Sequence, residues 1–448
     1  MIAYIAGVLF VVVGVGLSIA LHEIGHLVPA KRFGVKVTQY MVGFGPTIWS
    51  RRRGETEYGL KAIPLGGYIR MIGMFPPKPG DAPDRLRSSS TGRFSQLMDQ
   101  ARQESMEEVG PADRDRVFYR LSVPRKVTVM LGGPLVNFAI AAILLGGIST
   151  LYGIGTVTPL VAKVAACIPL TAPSVQVPQP ECKTGDPQSP ASVAGLQAKD
   201  RIISINGTPV TTWDEVTPLI RKAKGTTMAM VVERGGQQVT LQAPIASLNR
   251  ASYVDTDKVK VDATGAIVTE RVGYLGATPT VENVKGSIGG TPAFVGNAFV
   301  QTASVVVHVP QKMVGIFQAA FGSGERDRNG PISVVGVGRV GGEIASADLG
   351  AGSTGAKFVT LISLVASLNM ALFVFNLIPL LPLDGGHVAG ALWEGLKRRG
   401  AKLLGRADPG HVDVAKALPV AYTMAVLLIG MSALLIYADI VKPVKFFN

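Results

Sequence analysis

From Met1 to Leu21 the chain carries no charged side chain, and this apolar run ends in His22-Glu23-Ile24-Gly25-His26. A helix places residues four apart on one face, so His22 and His26 would stand one turn apart with Glu23 beside them. Two imidazoles at that spacing can grip one zinc ion, and the glutamate can take a proton from metal-bound water. H-E-x-x-H on its own does occur by chance. Three ionisable groups within a segment long enough to cross a bilayer are different, because each costs about 2.5–3.5 kcal/mol to insert and such groups mark function. Whatever folds around this segment must shelter a metal site below a lipid surface.

The 448 residues are too many for one ordinary core. Apolar residues make up 47% and charged residues 17%, below the soluble average of about 25%, which points to a membrane protein with a soluble part. A formal charge of +13 would suit nucleic acid. The basic residues instead cluster beside apolar runs, so the expected partner is a lipid bilayer and not nucleic acid.

Four segments reach the length of about 20 residues that a helix needs to span the hydrocarbon. They are Ile2 to about Pro29, the uncharged stretch between Lys126 and Lys163, Phe358–Leu383, and Ala417–Ala438. The N-terminal run lacks the basic start of a secretory signal, and cleavage near Ala20 would cut into the metal motif, so it is expected to remain as a span. Lys31, Arg32 and Lys36 follow the first span, and Arg125 and Lys126 precede the second. Lys397, Arg398, Arg399, Lys402 and Arg406 separate the third from the fourth. Both basic loops are therefore expected in the cytoplasm, with both termini and residues 160–355 facing outward; Lys442 and Lys445 oppose this mildly. Cys167 and Cys182 fall in the outward segment, where oxidation is permitted; a disulfide is favoured over two free thiols.

Residues 60–74 read as two short extended pieces with a bend at Gly66-Gly67, followed by Tyr68. They are too apolar for an ordinary loop. They either dip into the membrane or form a surface hairpin. Residues 75–116 are polar, with a candidate helix over 94–109. Farther on, alternation around Ile202, Ile203 and Ile205 gives a strand, Asn206-Gly207 a tight turn, 213–224 a helix, and 228–233 and 238–243 two more strands. The string Ser189-Pro190-Ala191, Ala194-Gly195-Leu196, Asp200 and Ile205-Asn206-Gly207 resembles a PDZ domain of the bacterial protease type. That resemblance implies capture of a peptide C-terminus by strand addition, with Val161 and Ala162 in the binding loop.

The third apolar segment closes on Asn376-Leu377-Ile378-Pro379-Leu380-Leu381-Pro382-Leu383-Asp384-Gly385-Gly386. Two prolines break a helix there, and the carbonyls they free must be buried in protein or face water. A zinc hydrolase needs a third protein ligand and an open position. Asp384 is the best placed, with His387 as a rival ligand and helix capping as a rival role. Asn376, on the broken stretch, is expected to contact substrate backbone. Asn137 is expected to bond a neighbouring helix.

H-E-x-x-H in a first span, Gly132-Gly133-Pro134-Leu135-Val136-Asn137 in a second, a PDZ-like insert and N-x-x-P-x-x-x-L-D-G in a third together resemble the site-2 proteases. These are intramembrane zinc metalloproteases, and the nearest branch is the four-span bacterial type that cleaves anti-sigma factors. The resemblance implies a polytopic α-helical membrane protein of the bacterial inner membrane, with four spans, a membrane-associated β-hairpin and an extracytoplasmic PDZ-like α/β domain. It implies His22, His26 and Asp384 as ligands to Zn2+ and Glu23 as general base. It also implies single-span substrates trimmed beforehand by another protease, docking on the edge of the 65–74 hairpin. One PDZ-like unit where some relatives have two is a departure. The expected organisation is a first span with the metal motif (1–30), a hairpin and polar loop (31–125), a second span (126–155) and the PDZ-like domain (158–280). An amphipathic membrane-proximal region (281–356), a third span (357–386), a cytoplasmic loop (387–414) and a fourth span (415–441) complete it. Two other classes compete. A broken span with an intramembrane aspartate suits an ion or proton transporter, and a peptide-binding domain on a membrane anchor suits a non-catalytic adaptor.

Overall fold

The structure, a computed structural model, describes all residues except 77–108, 169–181, 183, 252, 256–257, 260–261, 263–267, 323–325, 328–329, 348–352 and 445–448. The candidate polar helix therefore lies almost entirely outside the described residues. Contacts divide the chain into a helical unit, residues 1–150 and 287–448, and a sheet-rich unit, residues 151–286.

In the helical unit, α1 (Ile2–Arg32) and α2 (Val123–Gly147) contain the first two expected spans. After the sheet-rich insert come α4 (Thr291–Val307), α5 (Val309–Phe321), α6 (Val334–Ser346), α7 (Ser353–Asn376), α8 (Asp384–Leu403) and α9 (Leu418–Val441); α3 belongs to the insert. Among the described residues, four helices are long and apolar enough to cross a membrane, and α4 with α5 forms a further apolar pair bent by 57°. Within the expected membrane-proximal region the described residues include this pair and α6.

Two expectations change. The third apolar helix stops at Asn376, and residues 377–383 form an irregular turn. Asp384 then opens α8, which runs through much of what was expected to be a loop. The glycines after Asp384 permit this: a Cβ on Gly385 would collide with the Ile378 carbonyl, and one on Gly386 would lie 2.5 Å from Leu381 N. They let the turn fold back on the first turn of the helix.

The hairpin is also longer than expected, with β1 spanning Val37–Arg53 and β2 Thr56–Met71. Residues 39–42 pair on both sides, Val42 with Leu60 and with Gly67, so the two long strands fold back into a four-stranded sheet. Positive φ at Gly43 (93°) and Gly66 (93°) lets the chain turn there. One edge of this sheet, 67–71, runs beside α1. Tyr40 Oη donates to the Ala20 carbonyl at 2.8 Å, and a Cβ on Gly67 would stand 3.0 Å from Glu23 Cγ.

The sheet-rich unit has an ordinary core. Strands β3 (Ile154–Val164), β4 (Arg201–Ile205), β5 (Thr208–Pro209), β6 (Thr227–Arg234) and β7 (Gln237–Pro244) enclose Val161, Ile202, Ile205, Met228, Met230 and Val232 with α3 (Trp213–Lys222). A ribbon of β8 (Ala246–Ala251) and β11 (Thr269–Tyr274) follows, enclosing the short pair β9 (Tyr253–Asp255) and β10 (Lys258–Val259). Strand β12 (Ala277–Val284) then adds to β3, giving the order β12-β3-β4-β6-β7. Cys167 and Cys182 are joined by a disulfide with Cα atoms 5.9 Å apart.

Candidate metal centre

One turn of α1 puts His22 and His26 on one face, with their Nε2 atoms 3.1 Å apart. Asp384 Oδ2 lies 3.4 Å from each of them. Among the described residues this is the one group of three or more histidine, cysteine or carboxylate side chains set to share a metal ion. Zinc bonds of about 2.0–2.2 Å in a tetrahedron require ligand atoms about 3.3–3.5 Å apart, because a tetrahedral edge is about 1.6 bond lengths. The two sides to Asp384, at 3.4 Å, fall on that edge, and the His22–His26 side, at 3.1 Å, is slightly shorter.

The donor chemistry agrees with the spacing. His26 Nδ1 lies 2.8 Å from the Val129 carbonyl, which can only accept, so Nδ1 carries the proton and Nε2 presents its lone pair. Beside His22 Nδ1, at 3.0 Å, is Asn137 Nδ2, while Asn137 Oδ1 is buried without a partner. The two ends of an amide have the same shape. With the oxygen facing His22, Nδ1–H is bonded and Nε2 is free, as in His26. Two imidazole lone pairs and a carboxylate oxygen then converge, a set that repels itself without a cation between.

Helix α2 leaves room for one. A Cβ on Gly133 would collide with His26 Nε2 and stand 2.7 Å from His22 Nε2, so the side chain missing from Gly133 opens the space the three donors share. Gly25 and Gly132 make the approach possible: a Cβ on either would run into the other's carbonyl. Gly133, Asn137 and the Val129 carbonyl had no metal role assigned from sequence, and only their place in one stripe of α2, at i, i+4 and i+8, would have hinted at it.

Glu23 is buried at 8% exposure and accepts from the Ile69 N–H on the hairpin edge. Gly67 brings that edge against it, whereas Gly66 packs on the Phe44 ring and Tyr68 stacks on the same ring. Asn376 closes α7 half-buried and is not among the groups bonded to the ligands. His387 lies one turn after Asp384, outside the triangle, and lines a small cavity with Lys126 and Glu394. Val161 and Ala162 do not form the expected loop. Both lie within β3, where Val161 N–H donates to the Asp200 carbonyl and its side chain is buried, while neighbouring strands flank β3 on both sides.

Comparison with known proteins agrees with this chemistry. Residues 10–405 match the family model described as peptidase family M50. The zinc metalloprotease Rip1 of Mycobacterium bovis BCG is 33% identical over 446 residues, covering 99% of this chain and 100% of that protein. The protein of the same name from Mycobacterium tuberculosis H37Rv is also 33% identical over 446 residues, and that from Mycolicibacterium smegmatis 31%, each again covering 99% of this chain.

Proposed function

The chain belongs to peptidase family M50 and is a multi-pass zinc metalloprotease of the membrane; from that premise we propose that it hydrolyses peptide bonds inside the membrane-spanning segment of single-span substrates. The observation that carries this is the convergence at coordinating separation of His22 and His26, on a helix apolar enough to span a bilayer, with Asp384, eight residues past the end of another such helix. These three residues hold the zinc, and Glu23 is the general base.

Bound zinc supplies a Lewis acid that lowers the pKa of water to about 7 and stabilises negative charge on a carbonyl oxygen. Glu23 takes the proton from the attacking water as the new C–O bond forms. It returns that proton to the amide nitrogen as the C–N bond breaks. Its burial excludes competing solvent, and the Ile69 N–H orients it.

A substrate helix keeps its carbonyls in i→i−4 bonds and must unwind before attack. The 67–71 edge beside Glu23 offers backbone partners to the unwound segment. The substrates belong to the anti-sigma-factor class, trimmed beforehand on the outer side of a bacterial inner membrane. The sheet-rich unit, facing outward, acts as a PDZ-like gate. Its edge strand β12, rather than the Val161 segment, is where a peptide C-terminus adds.

The test is a Glu23→Gln variant of the full chain, purified and offered a single-span reporter. It should retain about one equivalent of zinc and lose cleavage by several orders of magnitude. Wild-type protein without zinc, or a variant that cleaves at the wild-type rate, would overturn the assignment. The gate is tested separately: if deleting residues 160–245 leaves the preference for trimmed over full-length substrate intact, that part is wrong.

A further inference from the structure

A second cluster of charges is buried in the helical unit, apart from the metal ligands. Lys126 Nζ on α2 lies 2.8 Å from Glu394 Oε2 on α8, with side chains 7% and 2% exposed. The other oxygen of Glu394 faces Arg398 Nη2 and His411 Nδ1, each at 3.2 Å, and Val412 N–H donates to Oε2 at 3.1 Å. Burial alone would raise the Glu394 carboxyl, but the bonds from His411 and Lys126 hold it down, at about 2.

A buried ion pair is a poor way to gain stability, because removing two charges from water offsets most of their attraction. Its best-attested use is to fix register. The geometry here gives register a purpose. Glu394 is ten residues after Asp384 on one continuous helix, about 15 Å along its axis, and both lie on one face (i, i+3, i+7, i+10). Before Asp384 the chain is the irregular 377–383 turn, and no side-chain cap bond holds the start of α8. The turn packs on Gly385 and Gly386, and the ion pair at Glu394 ties α8 to α2 farther along the helix.

On α2 the residues facing this arrangement also form one stripe. Lys126 grips Glu394, the Val129 carbonyl orients His26, Gly133 leaves room for the ion, and Asn137 meets His22. A slip of α8 along α2 by one residue would move Asp384 by about 1.5 Å, well beyond the few tenths of an ångström that a metal bond tolerates.

We propose that Lys126 and Glu394 are positioning residues: their buried pair fixes the register of α8 on α2 and thereby holds Asp384 at bonding distance from the ion shared by His22 and His26. This rests on the zinc reading above. It adds that α2, which supplies no ligand, sets the position of all three. Arg398, His411 and the Val412 N–H complete the carboxylate's partners and fasten the segment after α8 to the same point.

The test uses full-length protein in detergent, with zinc affinity measured by chelator competition alongside thermal unfolding of the metal-free form. Glu394→Gln and Lys126→Met should each weaken zinc about 10–100-fold, the range seen when a group that orients a ligand is lost. Excess zinc should restore cleavage in both. Either variant could act by loosening the fold, so the deciding protein is the double variant Lys126→Met with Glu394→Leu. It removes both charges and repacks the space with apolar groups, so its metal-free unfolding should approach wild type. Zinc affinity should nevertheless stay about tenfold or more below wild type, because nothing then reports register. A well-folded double variant that binds zinc like wild type would overturn the proposal and leave the pair as packing only. A wild-type protein that binds no zinc would instead overturn the metal reading beneath it.

Discussion

The two units bury opposite things. The sheet-rich unit encloses one contiguous apolar cluster, with Ile202, Met230 and Val232 at 0% exposure, and among its described charged side chains only Asp200, paired with Arg234, is buried. The helical unit has several small apolar clusters, and the groups buried along its central helices include Ser18, Glu23, His26, Asn137 and Asn369. Its exposed positions include Leu9, Leu17, Ile143, Val426 and Ile429. In lipid, apolar contact between helices gains little over contact with acyl chains, so close approach and polar bonds determine the packing. The Asn369 amide donating to Ser18 Oγ at 2.8 Å, one turn before His22, is such a bond. In one unit volume carries the structure; in the other, missing side chains and single polar atoms do.

That contrast fails if a methyl group is tolerated where the metal belongs. Gly133→Ala should reduce zinc content to background, because its Cβ would occupy the space between the histidines. Gly147→Ala, at the end of the same helix with open space around it, should bind zinc like wild type. Metal analysis of the two purified variants decides this, and equal zinc in both would end the comparison. The converse operates in the sheet-rich unit. Ile202→Ala should cost about 2–5 kcal/mol in that unit's stability, read by thermal unfolding, with zinc stoichiometry unchanged. A smaller effect separates polar positioning from space. Asn137→Leu should weaken zinc about 10–100-fold, while Asn137→Asp, which still accepts from His22 Nδ1–H, should bind at least as well as wild type. Equal affinity in the Leu variant would remove Asn137 from the site.

Local chemistry was legible from the chain; of the long-range chemistry only Asp384 was, because a zinc site needs a third ligand and few residues able to serve as one lie beside an apolar run. H-E-x-x-H needs only one helical turn to bring its residues together, and β4, β6 and β7 follow from alternation within a few residues. The role of Gly133 depends on a helix crossing that brings it to His26, 107 positions earlier, and the Val129 carbonyl has no sequence signature at all. Prolines at 379 and 382 mark the break, and the helix that Asp384 opens beyond it enters the sequence reading only as a rival role for that residue. Its glycines serve close packing against residues 377–381, which outweighs their weak helix propensity. Val161 was misplaced because an apolar segment before a strand resembles either a loop or another strand until its neighbours are known.

The smallest expected effect tests whether the sheet-rich unit behaves like an ordinary water-soluble fold toward acid. Asp200 is fully buried, and both of its oxygens accept from Arg234 at 2.7 Å, with the Gln197 N–H adding a bond at 2.8 Å. Burial would raise its carboxyl, but the guanidinium and the amide hold it below the usual aspartate range. A lowered native pKa means the unfolded chain binds the proton more readily. The stabilisation is thus complete above the unfolded value of about 3.9 and is lost as pH falls through the lower native value. Arg234→Met should lower stability at neutral pH by about 1 kcal/mol, a modest figure because the arginine is partly exposed and screened by water. In acid, with Asp200 protonated in both proteins, the two unfolding curves should converge. A gap that persists unchanged as pH falls from 7 to below the native Asp200 value would show that Arg234 stabilises by packing its side-chain stem rather than by charge. It would also show that the sheet-rich unit, like the helical one, depends on contact more than on titration.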